Sequence, residues 1–336
     1  MHSTLITGGL GYIGSNIVAD FLDNKKEIVI IDNLSNSSLN TLRLLQKLFN
    51  KKFYFYNDDI TKKTDLNLIF KKHTIKNVIH LAALKSIPES ISKPNKYIFN
   101  NVYGTMNLLE CSKENKVNNF IFSSSASVYS KKNNFPVSEK SMIDYINVYS
   151  MTKIICEDFA RYFCKKNNIC LGILRYFNPL GNHKSGFFGE TLTENSTNIM
   201  PMIIKSIINN EPFKIFGTNL NTKDGSPVRD YIHVSDLSYA HKLLLEFMID
   251  TKKSYLFNVG TGLGTSVKEL LNIFQKVNNI ELKIINAKQR PGDLSVCYAD
   301  SSRIQNTLKW KSKKTVEDMC YDSFNFYKPT SKNFLT

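Results

Sequence analysis

The sequence lacks features that would place it in several common classes of protein. No stretch reaches about 18 uninterrupted apolar residues, so no membrane-spanning helix and no membrane association are expected. The first residues, MHSTLITGG, show no basic segment followed by an apolar stretch and a cleavage site, so we expect no secretory signal. No block of five or six basic residues occurs, although the formal net charge is +15. We therefore expect dispersed, solvated lysines, no nucleic-acid partner, and at most a benefit for binding a small anionic substrate.

Paired cysteines are also missing. The six cysteines contain no Cys-x-x-Cys pair and the histidines show no matching spacing, so no metal site is expected. Unpaired thiols are typical of a reducing compartment, and we therefore expect a cytoplasmic protein. Of the 336 residues 42% are apolar and 22% charged, as in an ordinary globular protein. A chain of this length favours about two domains.

Short apolar runs alternate with helical patterns through the first half of the chain. Continuous runs of this length are typical of strands buried on both faces of a parallel sheet. We therefore predict the α/β class, with a Rossmann-type doubly wound parallel sheet and a smaller mixed α/β substrate-binding lobe. The runs are TLITGG (4–9), EIVIID (27–32), FYFYNDD (53–59), NVIHLAA (77–83), NFIFSSS (119–125) and CLGILRYFN (170–178). Beyond residue 178 the pattern loosens, which predicts long connections over a ligand site.

A glycine-rich turn, ITGGLGYIGSN (6–16), follows the first run. Its glycines permit a tight turn and the approach of a pyrophosphate, and the helix that begins next supplies free N–H groups. Turn formation alone explains the glycines equally well. Asp32 ends the second strand, where a carboxylate accepts hydrogen bonds from an adenosine ribose and favours NAD over NADP. Asp59 is either a ligand of the adenine amine or a turn residue.

The stretch VYSMTK (148–153) places Tyr149 and Lys153 on one face of a predicted helix, about 6 Å apart along its axis. They are either ordinary surface residues or an acid–base pair. In the second case the ammonium, together with a positive nicotinamide ring, favours the phenolate of a tyrosine whose pKa is otherwise about 10. The serines of SSSAS (123–127) end the preceding strand, where wound sheets bind ligands, and this favours the acid–base pair. Such a set suits hydride transfer from a secondary alcohol to NAD.

Taken together, these motifs resemble the extended short-chain dehydrogenase/reductase family and, within it, the UDP-galactose 4-epimerases. The likeness extends from about residue 4 to about residue 320. The later motifs distinguish this subfamily best, because the glycines and the Tyr–Lys pair are shared by many relatives. The motifs are TGGLGYIGSN, DNLSNS (32–37), VIHLAALKSIPES (78–90), NNVYGT (100–105), LRYFNPLGNHKSGFFGE (174–190), NIMP (198–201), IFG (215–217), DGSPVRDYIHVSDL (224–237), NVGTG (258–262) and RPGDLSV (290–296).

The resemblance implies the roles of individual residues. Tyr149 is implied to be the acid/base, Lys153 its electrostatic partner and a ribose ligand, and Ser125 the third catalytic residue. The residues implied to bind NAD are Gly8, Gly11, Tyr12, Ile13, Gly14, Asp32, Asn33, Asp59, Ile60, Lys85, Asn100, Tyr149, Lys153 and Phe177. The residues implied to bind a UDP-hexose are Ser125, Tyr149, Asn178, Asn198, Phe216, Arg229, Arg290, Asp293 and Cys297.

The implied reaction is NAD-dependent epimerisation of UDP-galactose to UDP-glucose at sugar carbon 4, through a transient 4-keto intermediate. We expect an NAD-binding Rossmann domain over 1–177, with a return segment at about 231–262, and a UDP-sugar-binding lobe over 178–230 and 263–336. A homodimer is implied because the helical regions near 95–116 and 149–166 resemble those that form a four-helix dimer in the family.

Three alternatives stay open. Cys297 is either a packing residue or a small side chain beside the sugar that admits UDP-GlcNAc and UDP-GalNAc. A related nucleotide-sugar dehydratase or decarboxylase is the first rival function, but Ser125-Ala126-Ser127 has no acid where a 4,6-dehydratase requires one. A non-catalytic NAD- or RNA-binding protein on the same fold is the remote rival, motivated by the net positive charge.

Overall fold

The structure, a computed structural model, describes residues 3–24, 27–193, 196–289 and 294–328. Within these ranges the strands are β1 (Ser3–Thr7), β2 (Ile28–Ile31), β3 (Phe53–Tyr56), β4 (Ile75–His80), β5 (Asn119–Ser125), β6 (Cys170–Tyr176), β7 (Asn178–Leu180), β8 (Phe213–Phe216), β9 (Val228–Arg229), β10 (Tyr231–His233), β11 (Tyr255–Val259), β12 (Thr265–Ser266), β13 (Ile284–Ala287) and β14 (Val296–Cys297). The helices are α1 (Tyr12–Asp23), α2 (Leu39–Leu48), α3 (Lys63–Lys72), α4 (Ile87–Ser92), α5 (Pro94–Tyr97), α6 (Gly104–Glu114), α7 (Val148–Lys166), α8 (Ile199–Ile208), α9 (Val234–Thr251), α10 (Val267–Asn278), α11 (Ser302–Leu308) and α12 (Val316–Tyr327). A π-helical stretch, Ile98–Tyr103, joins α5 to α6, and a 3-10 turn, Ala126–Val128, follows β5.

Seven strands of the described chain form one sheet in the order β11-β6-β5-β4-β1-β2-β3. The pairs β1–β2, β1–β4, β2–β3 and β4–β5 are all parallel. The strand order reverses between β1 and β4, so the sheet is wound outward in both directions from this pair. Ligands of wound sheets bind beyond the carboxyl ends of the strands at this switch point. The predicted α/β class with a doubly wound parallel sheet is confirmed.

The chain divides into two compact units. The first contains the described residues of Met1–Ser130, Met142–Arg175 and Ser238–Phe257. Its β1 and β2 are buried at every position, as expected of strands that helices cover on both faces. The inner strands supply much of its apolar core, with Leu5, Val29, Val78, Phe120 and Ile173.

The second unit contains the described residues of Lys131–Ser141, Tyr176–Leu237 and Asn258–Thr336. Its strands form small sheets with the orders β10-β7, β12-β9-β14 and β13-β8, in which only the β12–β9 pair is antiparallel. Helices α8, α10 and α12 contribute to a separate core that contains Met200, Ile203, Leu270, Phe274 and Met319. This mixed unit agrees with the predicted smaller α/β lobe, and the long connection from β7 to α8 agrees with the loosened pattern beyond residue 178.

Candidate active site

The glycines of the turn after β1 serve different purposes. Gly8 has a φ of +69°, and a Cβ there would lie 2.8 Å from the main-chain nitrogen of Ala82. A Cβ on Gly14 would overlap the oxygen of Gly8, because α1 packs directly on the turn. A Cβ on Gly11 would meet only the oxygen of Gly8, at 3.4 Å, among the described atoms. The fold therefore requires glycine at 8 and 14, whereas Gly11 leaves room for a ligand beside the backbone.

The amino end of α1 begins at this turn. Gly11 is the N-cap, and within the described residues no side chain caps the helix. Gly11 has no side chain that could accept the first N–H groups of the helix. Free N–H groups and the partial positive charge of a helix amino end together bind phosphate groups. The local geometry thus fits a pyrophosphate at the switch point of the sheet.

Asp32 joins the end of β2 to the glycine turn. One carboxylate oxygen accepts the N–H of Leu10 at 3.0 Å. The other accepts the N–H of Leu34 at 3.0 Å and the hydroxyl of Ser37 at 2.7 Å. A carboxylate has about four acceptor positions, so the oxygen bound to Leu10 retains capacity for a ribose hydroxyl. Asp32 therefore fits the predicted role while it also orders the turn.

Asp59 makes turn contacts of its own. One carboxylate oxygen accepts the N–H of Thr61 at 2.8 Å and its hydroxyl at 2.7 Å, and the other accepts the amide of Asn33 at 2.7 Å. Burial alone would raise the pKa of Asp59, but these hydrogen bonds lower it. Asp59 is therefore a turn residue, one of the two roles that the sequence left open. The side chain of Ile60 packs in the apolar core, so any contact between Ile60 and a cofactor has to come from its backbone.

Lys85 and Asn100 lie on segments that Asn101 holds together. Lys85 is exposed in the loop after β4, and Asn100 is partly buried in the π-helical stretch. The Asn101 side chain accepts the N–H of Leu84 at 2.8 Å and donates to the Leu84 oxygen at 3.0 Å. It also accepts the amide of Asn100 at 2.9 Å. Asn101 thus positions both candidates, and π-helical stretches occur frequently at functional sites.

The first turn of α7 is fixed by a capping box. The Asn147 side chain accepts the N–H of Ser150 at 2.8 Å, and the Ser150 hydroxyl accepts the N–H of Asn147 at 3.0 Å. This arrangement satisfies two N–H groups that would otherwise lack partners at the helix end. The N–H of Tyr149 is bound by the Ser90 hydroxyl at 3.3 Å. The backbone of Tyr149 is therefore held on both sides before any ligand binds.

Tyr149 is partly buried and shares a hydrogen bond with the hydroxyl of Ser125. Burial raises the pKa of its phenol to about 12, and the hydrogen bond with Ser125 offsets only part of this rise. The ammonium of Lys153 lies 5.9 Å from the centroid of the Tyr149 ring. The sequence predicted an ammonium that favours the phenolate together with a nicotinamide ring, and the ammonium alone does not achieve it. The protein's own groups leave Tyr149 protonated at neutral pH.

Lys153 is 4% exposed, and its ammonium donates a 2.7 Å hydrogen bond to the main-chain oxygen of Ser123. Burial lowers the pKa of Lys153 to about 8. The lysine is therefore still largely charged at neutral pH and loses its charge in mildly alkaline solution. Ser125, Tyr149 and Lys153, three predicted residues from two elements, are brought together at the carboxyl end of β5.

His80 belongs to a buried polar chain that the sequence did not reveal. Its Nδ1 lies 2.7 Å from the hydroxyl of Thr7, and its Nε2 lies 2.8 Å from the hydroxyl of Thr105. Burial, with a smaller effect from Lys153, lowers the pKa of His80 to about 3, so the ring is neutral. The chain continues through side-chain hydrogen bonds to the backbone of Tyr149, by way of Thr105, Asn101 and Thr152.

In the second unit, two predicted substrate residues lie opposite each other on paired strands. Arg229 of β9 is in register with Cys297 of β14. Cys297 is 6% exposed, and burial raises the pKa of its thiol to about 11. The buried carboxylate of Asp230 accepts the N–H of Thr261 at 2.7 Å and the N–H of Ala299 at 3.1 Å. Asp230, which the sequence did not single out, thus fixes the strands that carry both candidates.

The other candidates of the second unit lie on separate elements. Phe177 is buried, whereas the next residue, Asn178, is exposed at the start of β7. Asn198 is the N-cap of α8, and its amide donates to the carboxylate of Glu190 at 2.6 Å. Phe216, at the end of β8, is partly buried.

Two predicted substrate residues, Arg290 and Asp293, lie outside the described residues. Within the described part of the chain, no group of three or more His, Cys, Asp or Glu side chains could hold a metal ion. Among the described helices, none combines the length and apolarity that a membrane crossing requires.

Comparison with known proteins decides the family. Residues 5–323 match the family model described as GDP-mannose 4,6 dehydratase. The UDP-glucose 4-epimerase of Bacillus subtilis (strain 168) is 38% identical over 324 residues, which are 96% of each chain. The crystal structure of the UDP-glucose 4-epimerase of Stenotrophomonas maltophila with bound NAD and formylated UDP-arabinopyranose gives a TM-score of 0.95, at 33% identity over 99% of both chains. The chain belongs to the UDP-glucose 4-epimerase family.

Membership of the UDP-glucose 4-epimerase family confirms the predicted resemblance. The UDP-Glc/GlcNAc 4-epimerase of Campylobacter jejuni is a further similar structure, with a TM-score of 0.83 at 33% identity, over 97% of this chain and 99% of that one. Proteins named as epimerases match this chain over nearly its whole length, and this favours the predicted epimerase over a dehydratase, although the family model carries a dehydratase's description. The 3-10 turn after Ser125 agrees with this preference, because Ala126 and Ser127 provide no acid.

Proposed function

We propose that this protein interconverts UDP-galactose and UDP-glucose by inverting carbon 4 of the sugar through a transient 4-keto intermediate. The observation that carries the proposal is the Ser125–Tyr149–Lys153 cluster at the carboxyl end of β5, in a chain that matches UDP-glucose 4-epimerases over almost its full length. A phenol with a buried ammonium and a serine hydroxyl is suited to moving the proton of a secondary alcohol.

NAD is the cofactor, and the first unit fits it. The open space beside Gly11 and the uncapped amino end of α1 suit the pyrophosphate, and Asp32 suits the ribose of the adenosine. We propose that the remaining contacts come from other candidates of the same unit, namely Gly8, Tyr12, Ile13, Gly14, Asn33, Asp59, Ile60, Lys85, Asn100, Tyr149 and Lys153, and from Phe177 of the second unit. When bound, NAD supplies a hydride acceptor and donor and a positively charged ring.

Tyr149 takes the proton of the sugar's 4-hydroxyl and later returns it to the same oxygen, when hydrogen returns to the opposite face of carbon 4. With a pKa of about 12 the phenol stays protonated at neutral pH, so it cannot take a proton until further positive charge is placed beside it. The Lys153 ammonium lies under the ring, and the Ser125 hydroxyl donates to the phenol oxygen, so both stabilise the phenolate as it forms. No net oxidation of the sugar results, because the hydrogen that leaves carbon 4 returns to it.

We propose that the second unit holds the UDP group firmly and the hexose loosely, so that the keto sugar can turn before hydrogen returns. The guanidinium of Arg229 suits the diphosphate, because it is planar and always charged. The residues assigned to the substrate are Ser125, Tyr149, Asn178, Asn198, Phe216, Arg229, Arg290, Asp293 and Cys297. The small side chain of Cys297 supports acceptance of UDP-GlcNAc and UDP-GalNAc as well. The name of the Campylobacter jejuni relative includes GlcNAc.

Incubation of the purified protein with UDP-galactose and no added NAD tests the proposal. Chromatography of the sugars should show UDP-glucose, because cofactor that stays bound is regenerated in each cycle. The Tyr149→Phe variant should be inactive, whereas Tyr162→Phe, a change to an exposed tyrosine of the same helix, should be fully active. Accumulation of a stable 4-keto sugar would favour the dehydratase instead. Full activity of Tyr149→Phe would contradict the assignment of the base.

We also propose a homodimer formed by the α5–α6 and α7 region. Phe99, Tyr103 and Tyr162 are 57%, 45% and 66% exposed, and the first two rings stack at 5.2 Å. Exposed aromatic clusters of this kind mark protein interfaces. Light scattering after gel filtration should give a dimer for the wild type and a monomer for Tyr103→Lys. The matched change Tyr321→Lys, at a tyrosine 50% exposed in the second unit, should leave the dimer intact.

We propose a cytoplasmic location and no nucleic-acid partner. All six cysteines are free thiols, as is typical of a reducing compartment. Part of the positive charge is engaged locally, since the ammonium of Lys63 pairs with Glu110 and Glu114. Filter binding of the protein to single-stranded RNA at physiological salt should therefore show no specific complex.

A further inference from the structure

A buried carboxylate lies behind the Tyr149–Lys153 pair. Glu157 follows Lys153 by one turn of α7 and is 1% exposed. Its Oε1 accepts the Ser124 hydroxyl at 2.5 Å and the Arg175 Nε at 2.9 Å. Its Oε2 accepts Arg175 Nη2 at 2.7 Å and Arg161 Nη2 at 2.6 Å. All the principal acceptor positions of this carboxylate are therefore used within one unit.

The pair of Glu157 and Arg175 stays charged although both side chains are buried. Arg175 lies on β6, is 2% exposed, and donates from Nη1 to the Tyr129 hydroxyl at 3.1 Å. Burial alone would lower the pKa of Arg175, but the hydrogen bonds and charge of Glu157 raise it. Burial alone would raise the pKa of Glu157, but Arg175 and Ser124 lower it. A buried ion pair with these hydrogen bonds is costly to break on one side, because the other charge is then unpaired.

Three consecutive serines at the end of β5 each contact α7. The Ser123 oxygen accepts the Lys153 ammonium at 2.7 Å, and the Ser125 hydroxyl shares a hydrogen bond with Tyr149. Ser124 lies between them and donates to Glu157. The Ser124–Glu157 hydrogen bond therefore joins β5 to α7 between these two contacts. Both contacts depend on the distance between the strand and the helix.

We propose that Glu157, held by Arg175, is a positioning residue that sets the distance between the serine end of β5 and the helix that carries Tyr149 and Lys153. The effect of this residue on turnover rests on the proposed epimerase function. Positioning matters because a shift of about 1 Å in a catalytic group can reduce rates roughly 100-fold.

Glu157 also contributes to the charge state of Lys153. Burial lowers the pKa of Lys153, and the carboxylate of Glu157 raises it. The Cys156 thiol and the His80 ring of β4 also lie near, but both are uncharged at neutral pH, because burial raises the pKa of the thiol and lowers that of the ring. The groups that act on Glu157 are Ser124 of β5, Arg175 of β6 and Arg161 of α7. Removing the negative charge at residue 157 should therefore let Lys153 lose its proton at a lower pH.

The test compares Ser124→Ala and Glu157→Gln with two controls. Ser112→Ala removes another fully buried serine hydroxyl, which bonds within α6, and Arg43→Gln removes an exposed arginine of α2 that donates to Asn40. With UDP-galactose as substrate, kcat should fall roughly 10- to 100-fold in Ser124→Ala and Glu157→Gln, with little change in KM. Both controls should keep kcat within about threefold of the wild type.

A pH profile separates positioning from general destabilisation. In Glu157→Gln the alkaline fall of kcat/KM should move to lower pH, whereas in Ser124→Ala, which changes no charge, it should not move. Wild-type kcat and an unmoved profile in both variants, with only a lower thermal midpoint, would overturn the proposal. If the wild type itself does not interconvert the two sugars, the epimerase function fails. NMR titration of ¹³C-labelled Lys153 in wild type and Glu157→Gln then tests the effect of Glu157 on the lysine's charge state, which an unchanged lysine pKa would contradict. A crystal structure of Ser124→Ala in which the Ser123–Lys153 hydrogen bond keeps its wild-type length would contradict the positioning claim.

Discussion

The ammonium of Lys153 donates a 2.7 Å hydrogen bond to the main-chain oxygen of Ser123. This bond holds the lysine between the end of β5 and the ring of Tyr149, whose centroid is 5.9 Å from the ammonium. The lysine thus lies beneath the phenol as a fixed charge and makes its direct hydrogen bond to the strand. Its effect on the phenol is therefore electrostatic.

Replacing Lys153 by Met should reduce kcat for UDP-galactose roughly 100-fold or more, because the phenolate loses its stabilising charge. Lys166→Met is the matched control, since Lys166 lies on the same helix over the ring of Tyr162, also at 5.9 Å. Steady-state assays of both variants check the expectation. Activity of Lys153→Met within about threefold of the wild type would show that the charge is unnecessary.

The two glycines at the start of α1 should respond differently to a methyl group. Gly14→Ala should lower the free energy of unfolding by about 1–3 kcal/mol, because the Cβ would overlap the oxygen of Gly8. Gly11→Ala should cost less than about 1 kcal/mol yet weaken NAD binding at least roughly tenfold, because the methyl occupies the space proposed for the pyrophosphate. Urea unfolding and calorimetric titration with NAD measure the two effects. Unchanged NAD affinity in Gly11→Ala would place the pyrophosphate elsewhere.

Acid should destabilise the protein through His80. The unfolded chain takes up a proton at this residue near pH 6.5, whereas the folded protein does so only near pH 3. Stability should therefore fall as the pH drops through this window, with a slope that approaches about 1.4 kcal/mol per pH unit. His80→Asn should be less stable at neutral pH but should lack this part of the slope. Urea unfolding curves with the same pH dependence in both proteins would contradict the neutral buried ring.

Cys297→Tyr should retain turnover of UDP-galactose and lose turnover of UDP-GalNAc, if the side chain borders the sugar. Cys297→Ser, which keeps the small volume, should turn over both substrates. Because Cys297 is 6% exposed, a thermal midpoint must first show that the tyrosine variant is folded. A wild type that turns over only the plain sugars would remove the N-acetyl activity from the proposal. Loss of neither activity in Cys297→Tyr would show that residue 297 does not select the substrate.

The parts of the site that sequence could predict are local in the chain. The glycine turn, Asp32 at the end of a strand, and Tyr149 and Lys153 one turn apart all follow from short spacings. The sheet was predictable for the same reason, because each apolar run is a strand. The partners that position these residues come from distant segments: Asn101 contacts Leu84, and Arg175 contacts Glu157 across 18 positions. No spacing in the sequence indicates such pairs.

Charge states were harder to predict than positions. The spacing of Tyr149 and Lys153 suggested a phenol of lowered pKa, but burial raises it to about 12. Burial depends on the packing of α7 against β5 and the π-helical stretch, which only the folded chain shows. Asp59 is a similar case, since its bonds to Thr61 and Asn33 reveal a turn role that the sequence left at even odds.

Incubation with UDP-galactose deuterated at carbon 4, in ordinary water, tests the central claim most directly. Hydrogen that leaves carbon 4 and returns to it without meeting solvent should appear, by mass spectrometry, as deuterium retained at carbon 4 of UDP-glucose. Product that carries ordinary hydrogen at that carbon would mean that the hydrogen of carbon 4 was exchanged with water, and epimerisation by removal and return of the same hydrogen would be contradicted.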